Sequence, residues 1–119
     1  LEANLQRFIK LNKGDFTGRQ ALVEQQETGI PYRYCTIEIE ADDADSFGNE
    51  PIFVEGKVVG RGTSGGFGHY IKKSLMLGYV ESKYATVGQD CRVRLLDKMI
   101  PAKLIAESPY DPENLALKA

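Results

Sequence analysis

From Gly56 to Val80 the chain is dense in glycine and in β-type apolar residues, and this stretch limits the folds open to it. Seven of the twelve glycines lie here. Glycine loses more backbone freedom on ordering than any other residue, so a cluster needs a compensating use: a positive φ angle, a bulge, or two backbones brought close together. Val58-Val59 and Leu75 to Val80 flank the glycine-rich middle. The pattern reads as two strands joined by a tight bend. A literal G-x-G-x-x-G, Gly60-Arg61-Gly62-Thr63-Ser64-Gly65, sits inside it. A dinucleotide fingerprint needs a helix opening at the last glycine. Gly66, Phe67 and Gly68 follow instead, and Glu81 is a coincidental match to the acidic residue expected further on. No Gly-Lys-Ser/Thr closes the run as a phosphate-binding loop would require.

The remaining strands show by alternation. Cys35, Ile37 and Ile39 fall on one face of Tyr34 to Glu40, with Thr36, Glu38 and Glu40 on the other, as in a half-buried antiparallel strand. Pro51 to Val54 and Lys57 to Gly60 read as short strands around a Glu55-Gly56 hairpin turn. Ser74 to Val80 is apolar enough to be central. Cys91, Val93 and Leu95 alternate with Arg92 and Arg94. Asp97-Lys98 turns the chain into a last strand, Ile100 to Ala106, where Pro101 belongs at an edge or bulge.

Two helices flank these strands. Thr17 is placed as N-cap of a helix from Gly18 to Thr28, with Gln20 completing a capping box and Phe16 stapling against Ala21. Gly29 and Pro31 stop it. Asp111 is placed as cap of a short C-terminal helix with Pro112 at its first position. Strands at this spacing with glycine-rich corners predict a mainly β fold, a small antiparallel Greek-key barrel of about six strands. The division expected is a boundary segment with its helix over 1–30 and the barrel over 31–119. Leu1, Leu5 and Ile9 have helical spacing, while Phe8, Ile9 and Leu11 equally suit an extended segment. The opening at Leu1, without a methionine, reads as an excised or processed piece.

Length and composition fit one domain with one modest core, at 119 residues, 42% hydrophobic and 27% charged. A net charge of −2, with no basic-aromatic stripe, argues against nucleic acid as a partner. No apolar run is long enough to span a bilayer, and no signal peptide opens the chain. Cys35 and Cys91, with His69 as the one histidine, do not make a zinc set, so the metal expectation is none. They read as free thiols in a reducing compartment. Asp42-Asp43-Ala44-Asp45 reads as a solvated loop, because the EF-hand spacing is missing. His69 reads as a hairpin-tip residue and Lys72-Lys73 as a solvated face. No nucleophile elbow surrounds Ser64, and no catalytic residue is assigned.

A resemblance enters through the order of segments. Phe8-Ile9-Lys10-Leu11-Asn12-Lys13-Gly14-Asp15-Phe16-Thr17-Gly18-Arg19-Gln20-Ala21-Leu22, Glu50-Pro51-Ile52, Gly56 to Gly60, Thr63-Ser64-Gly65-Gly66-Phe67, Lys73-Ser74-Leu75, Gly78-Tyr79-Val80, Pro101-Ala102 and Pro109-Tyr110-Asp111-Pro112 follow one another. In this set the chain resembles the C-terminal region of the aminomethyltransferase, or glycine-cleavage T-protein, family. The wording is nearest to dimethylglycine and sarcosine dehydrogenases. The resemblance implies a non-catalytic barrel closing over a tetrahydrofolate site in a one-carbon transfer enzyme. Its partners would be a folate lobe and, in the dehydrogenases, an FAD domain earlier in the same chain. Bacterial cytoplasm or the mitochondrial matrix is the compartment implied. An aromatic that contacts folate near the start of the boundary segment corresponds here to Arg7 or Phe8, and one in the tail to Tyr110. A plain aminomethyltransferase parent and a freestanding module for a protein or RNA partner are the alternatives.

Overall fold

The computed structural model describes residues 1–42 and 44–119. Asp43, part of the acidic loop weighed for calcium, lies outside the described residues. Six strands, β1 (Tyr32–Ile39), β2 (Pro51–Val54), β3 (Lys57–Gly68), β4 (Lys73–Glu81), β5 (Asp90–Leu95) and β6 (Lys98–Ile105), close into a barrel in the order β1-β4-β3-β2-β5-β6. Every pairing is antiparallel, and β1 bonds to both β4 and β6, so the sheet has no free edge over most of its length. Three hairpin-linked strands, β2 to β4, with β1 returned beside β4 by a long connection, make the Greek key expected from the sequence. Helix α1 (Arg19–Thr28) precedes the barrel and a short helix, α2 (Leu115–Lys118), follows it.

Period-two alternation builds the core. Along β5 exposed and buried residues alternate without exception, and Cys91, Val93 and Leu95 point inward. Ile37, Ile52, Met76, Val80, Val93, Leu95 and Leu104 are essentially inaccessible. Burying each such side chain contributes about 1.5–3 kcal/mol.

The glycine-dense middle is not a bend. It is the second half of β3, a continuous strand from Lys57 to Gly68, and the turn comes later, between Gly68 and Lys73. The register slips between Gly62 and Ser64, leaving Thr63 as an extra residue whose hydroxyl donates to the Leu77 carbonyl at 3.0 Å. Among these glycines only Gly56, in the β2–β3 turn, has positive φ. The others provide room. A Cβ on Gly60 would come within 2.3 Å of the Tyr79 carbonyl oxygen, and one on Gly78 within 2.7 Å of the Arg61 carbonyl oxygen. Strands β3 and β4 cross so closely inside a narrow barrel that backbone fills the space a side chain would take.

Glu55 and Gly56 turn β2 into β3 with φ of 49° and 78°, the two positive values a two-residue hairpin needs. The β5–β6 turn is Leu96-Asp97, at 46° and 62°, one residue earlier than expected. The Pro101 carbonyl accepts from the Glu40 amide at 3.0 Å, just past Ala102, the last β6 residue paired with β1. Its missing N–H therefore faces a local strand end. The capping box at Thr17 does not form. Gly18 occupies the N-cap position with φ 88°, and no side chain bonds to the first turn, because the left-handed entry carries Thr17 away from it. Gly29 does end α1, at φ 86°. At the other terminus Asp111 accepts from the amides of Leu115 and Ala116 at 2.7 and 3.0 Å, but Asn114 is the N-cap residue, so Pro112 stands outside the helix.

Candidate functional site

The predicted folate contacts fall in two places. Arg7 and Phe8 belong to a 3-10 turn, Gln6–Phe8, and the guanidinium lies 4.8 Å from the Phe8 ring centre. That turn follows Glu2 and Asn4, which bracket Tyr34: the Glu2 carbonyl accepts from its amide and the Asn4 side chain donates to its carbonyl, both at 2.8 Å. These bonds occupy the side of β1 that β6 leaves unpaired before Thr36. Tyr110 instead packs on Tyr70 at the β3–β4 turn, with ring centres 4.4 Å apart. Phe8 is 67% and Tyr110 52% exposed. Tyr34 pairs with Tyr79 late in β4, whereas Tyr70 precedes its start, so the anchors lie towards different ends of that strand. Arg7 and Phe8 offer a cation and a ring side by side. Tyr110 does not join them, and the three do not enclose a folate site on this chain alone.

His69 is at the hairpin tip as expected, exposed and edge-on to Phe67 at 5.1 Å. Lys73 is not free; it pairs with Glu38 at 2.6 Å. Both cysteines are reduced. Burial pushes the Cys91 thiol up to about 11, with the charge of Asp90 and then Cys35 adding to it. Burial also raises Cys35, against the opposing charge of Arg33. A neutral thiol held this way is a poor nucleophile at neutral pH. No group of three or more histidine, cysteine or acidic side chains converges on a metal-sized point among the described residues.

Two features went unread in the sequence. One is a carboxylate staple in the β1–β2 connection. Glu50 accepts from the Ser46 hydroxyl at 2.6 Å, the Phe47 amide at 2.7 Å and the Gly48 amide at 2.9 Å. Burial alone would raise its pKa, but these bonds favour the ionised form and the net shift is downward. The staple folds the loop onto β3, where a Cβ on Gly65 would meet the Ser46 Cβ at 2.7 Å. The serine four residues before a glutamate, with a glycine between, was the available signal. The other feature is a groove of about 480 Å³ on the outside of β3 and β4, lined by Tyr32, Val58, Arg61, Tyr79, Glu2 and Glu81 among others. Tyr34, Tyr79, Arg61 and Pro51 form one row across β1, β4, β3 and β2 beside it. Such a row joins residues far apart in sequence and follows from register alone.

Comparison with known proteins places this geometry. The profile of the glycine cleavage T-protein C-terminal barrel domain matches residues 33–111. Mitochondrial dimethylglycine dehydrogenase of Rattus norvegicus is 45% identical over 108 residues, covering 90% of this chain and 13% of the relative. An aminomethyltransferase of Desulfitobacterium hafniense is 38% identical over 111 residues, 92% of this chain and 30% of that protein. The crystal structure of glycine cleavage system aminomethyltransferase T from Bartonella henselae superposes with a TM-score of 0.79 at 22% identity, covering 89% of this chain and 30% of that one. The chain thus spans less than a third of the relatives it matches.

Proposed function

The chain belongs to the family of glycine cleavage T-protein C-terminal barrel domains, and from that premise we propose that it is the non-catalytic wall of a tetrahydrofolate-dependent one-carbon transfer enzyme. The observation that carries the reading is a match over 90% of this chain to 13% of a dehydrogenase and over 92% to 30% of an aminomethyltransferase. The unit shared with both relatives includes the barrel, and the chemistry belongs to what surrounds it. The interior supports this, because core side chains and close-packed backbone fill it.

Identity is higher to the dehydrogenase, 45% against 38%. The reading is therefore of a parent that oxidises an N-methylated glycine derivative on FAD in a preceding domain and passes the one-carbon unit to folate in a preceding lobe. A parent without the flavin domain is the second reading, supported by the aminomethyltransferase match. Arg7, Phe8 and Tyr110 are the proposed folate contacts: the cation for the anionic tail, the rings for the flat pterin. The mitochondrial matrix or a bacterial cytoplasm is the proposed compartment. The mitochondrial name of the dehydrogenase relative supports the first, and no helix among the described residues is long and apolar enough to cross a membrane.

Calorimetric titration of tetrahydrofolate into the 119-residue chain should give no saturable heat, while the full-length parent should bind it. Tight binding by the short chain would refute the wall reading. In the full-length parent, Tyr110→Ala and Phe8→Ala should each weaken folate binding without lowering the melting temperature; unchanged affinity would remove those residues from the site.

A further inference from the structure

Two clefts that share Tyr32 and Glu81 adjoin on the outside of the barrel, and nothing among the described residues covers them. The groove on β3 and β4 ends at Tyr32 and Glu81. The same two residues line a second cleft with Pro31. A third lies between Gln6 and the Gln25 end of α1, beside Ile30. The surface is apolar where it is most open: Val58 is 58% and Tyr32 43% exposed. Helix α1, which lines that third cleft through Gln25 and Gln26, has no buried residue. A helix of ten residues is marginal in water unless a neighbour packs on it. On this face Arg61 and Glu2 are in none of the ion pairs among the described residues.

We propose that this concave face, from Val58 and Arg61 through Tyr32 to α1, is the seat of the lobe that precedes Leu1 in the longer parent. The inference rests on the domain reading above and says where the neighbour sits. The course of the chain supports it. Glu2 both lines the groove and is pinned to Tyr34 by its carbonyl, so a polypeptide arriving at Leu1 enters at the groove's rim. A tethered lobe meets that rim at an effective concentration on the order of millimolar. Its chemistry follows from the lining: an aliphatic or aromatic side chain between Tyr32 and Val58, a carboxylate for Arg61 and a cation for Glu2. Other faces are poorer seats. The outside of β5 presents Arg92 and Arg94 to solvent. Phe47, although 84% exposed, stands singly at a loop tip, and scattered single apolar residues are ordinary on protein surfaces.

Hydrogen exchange read by mass spectrometry, on the 119-residue chain and on the full-length parent, tests the proposal. Amides of 19–33 and 57–61 should exchange about tenfold or more slowly in the parent than in the short chain, whose own barrel core is protected in both. Val58→Glu and Arg61→Glu alter exposed side chains. In the parent they should remove that added protection while the melting transition of the short chain carrying them is unchanged. Added protection only around Phe47 or the Tyr70–Tyr110 contact would overturn this seat and leave the domain reading standing. A barrel that gains no protection anywhere in the parent would overturn both. Concentration-dependent protection of the face in the short chain would assign it to a second copy and overturn the proposal as well.

Discussion

Along β2, β4 and β5 nearly every second side chain is buried, whereas α1 and the 3-10 turn before it bury none. Both regions contain regular backbone, but they are held by different things. Strands β1 to β6 close on themselves and satisfy one another's hydrogen bonds, so the barrel needs no neighbour. The N-terminal segment attaches through a few polar contacts, such as Asn4 to Tyr34 and the Ser82 hydroxyl to the Ile30 carbonyl. One part carries its own folding free energy; the other buries none of its helical side chains and has the most to gain from a neighbour. Substitutions of the same kind in the two regions should therefore differ sharply in effect.

Glycine gives the largest contrast. Gly60→Ala places a Cβ 2.3 Å from the Tyr79 carbonyl oxygen and 3.0 Å from the Val80 Cα, where only backbone could yield. It should cost about 3 kcal/mol or more, at the upper end of overpacking, or prevent folding. At Gly29 the new Cβ meets nothing within 4 Å, and only the backbone, at φ 86° and ψ 167°, opposes it, for a cost of about 1–3 kcal/mol confined to the helix end. Urea unfolding of the two variants should separate these values. Equal losses would mean that β3 and β4 can move apart and that the barrel is not closed as described.

This pair of glycines also shows what was legible. The alternation of Cys91, Val93 and Leu95, the Glu55-Gly56 turn and the Gly29 stop each depend on neighbours in sequence, and each is where the sequence places it. The Gly60–Gly68 run was misread because three uses of glycine look alike in a string: positive φ, bulge, and room for another backbone. Only the partner strand decides among them, and β4 decides for room at Gly60 and Gly78. The capping box failed for a related reason. Thr17 and Gln20 have the spacing, but the left-handed Gly18 between them sets the direction of entry. The candidate site was less legible still. Arg7, Phe8 and Tyr110 came from resemblance, while the Tyr34-Tyr79-Arg61-Pro51 row and the groove beside it come from register.

The core thiol gives the next effect in size. Cys91 is held neutral in the fold, with its pKa raised from 9.0 to about 11. The folded state binds the proton more tightly, so this contribution to stability is fully present below pH 9 and is lost as pH rises towards about 11. The urea midpoint should fall across that window, and Cys91→Ala should flatten the fall. An unchanged slope would place the thiol in contact with water.

Glu50 should act at the other end of the pH scale and more weakly, because it is only half-buried. Its pKa is lowered in the fold, since the bonds from Ser46, Phe47 and Gly48 outweigh burial. Its contribution is present above the ordinary carboxylate range and is lost as pH falls through the lowered value. Glu50→Gln keeps the shape but gives up the charge, at a cost of about 1–2 kcal/mol for a charge-assisted bond. The acid limb of the stability curve should become shallower in this variant, and the amides of Phe47 and Gly48 should exchange faster. If the limb keeps its slope, another carboxylate governs acid unfolding.

The smallest effect bears most directly on the comparison. Leu22 lies on α1, where no residue is buried. In the 119-residue chain, Leu22→Ala truncates a half-buried side chain and slightly improves helix propensity, so it should cost about 1 kcal/mol. The equivalent truncation at Ile37, fully buried, should cost about 2–5 kcal/mol. In the full-length parent the two should converge. If a lobe covers α1, Leu22→Ala opens a cavity there and should approach the core value, read as a drop in the melting temperature of the whole protein. A difference between short and long chains at Leu22, with none at Ile37, would mean that the segment's order is supplied from outside the barrel. If Leu22→Ala already approaches the core value in the short chain, α1 packs on the barrel after all, and the contrast between the two regions fails.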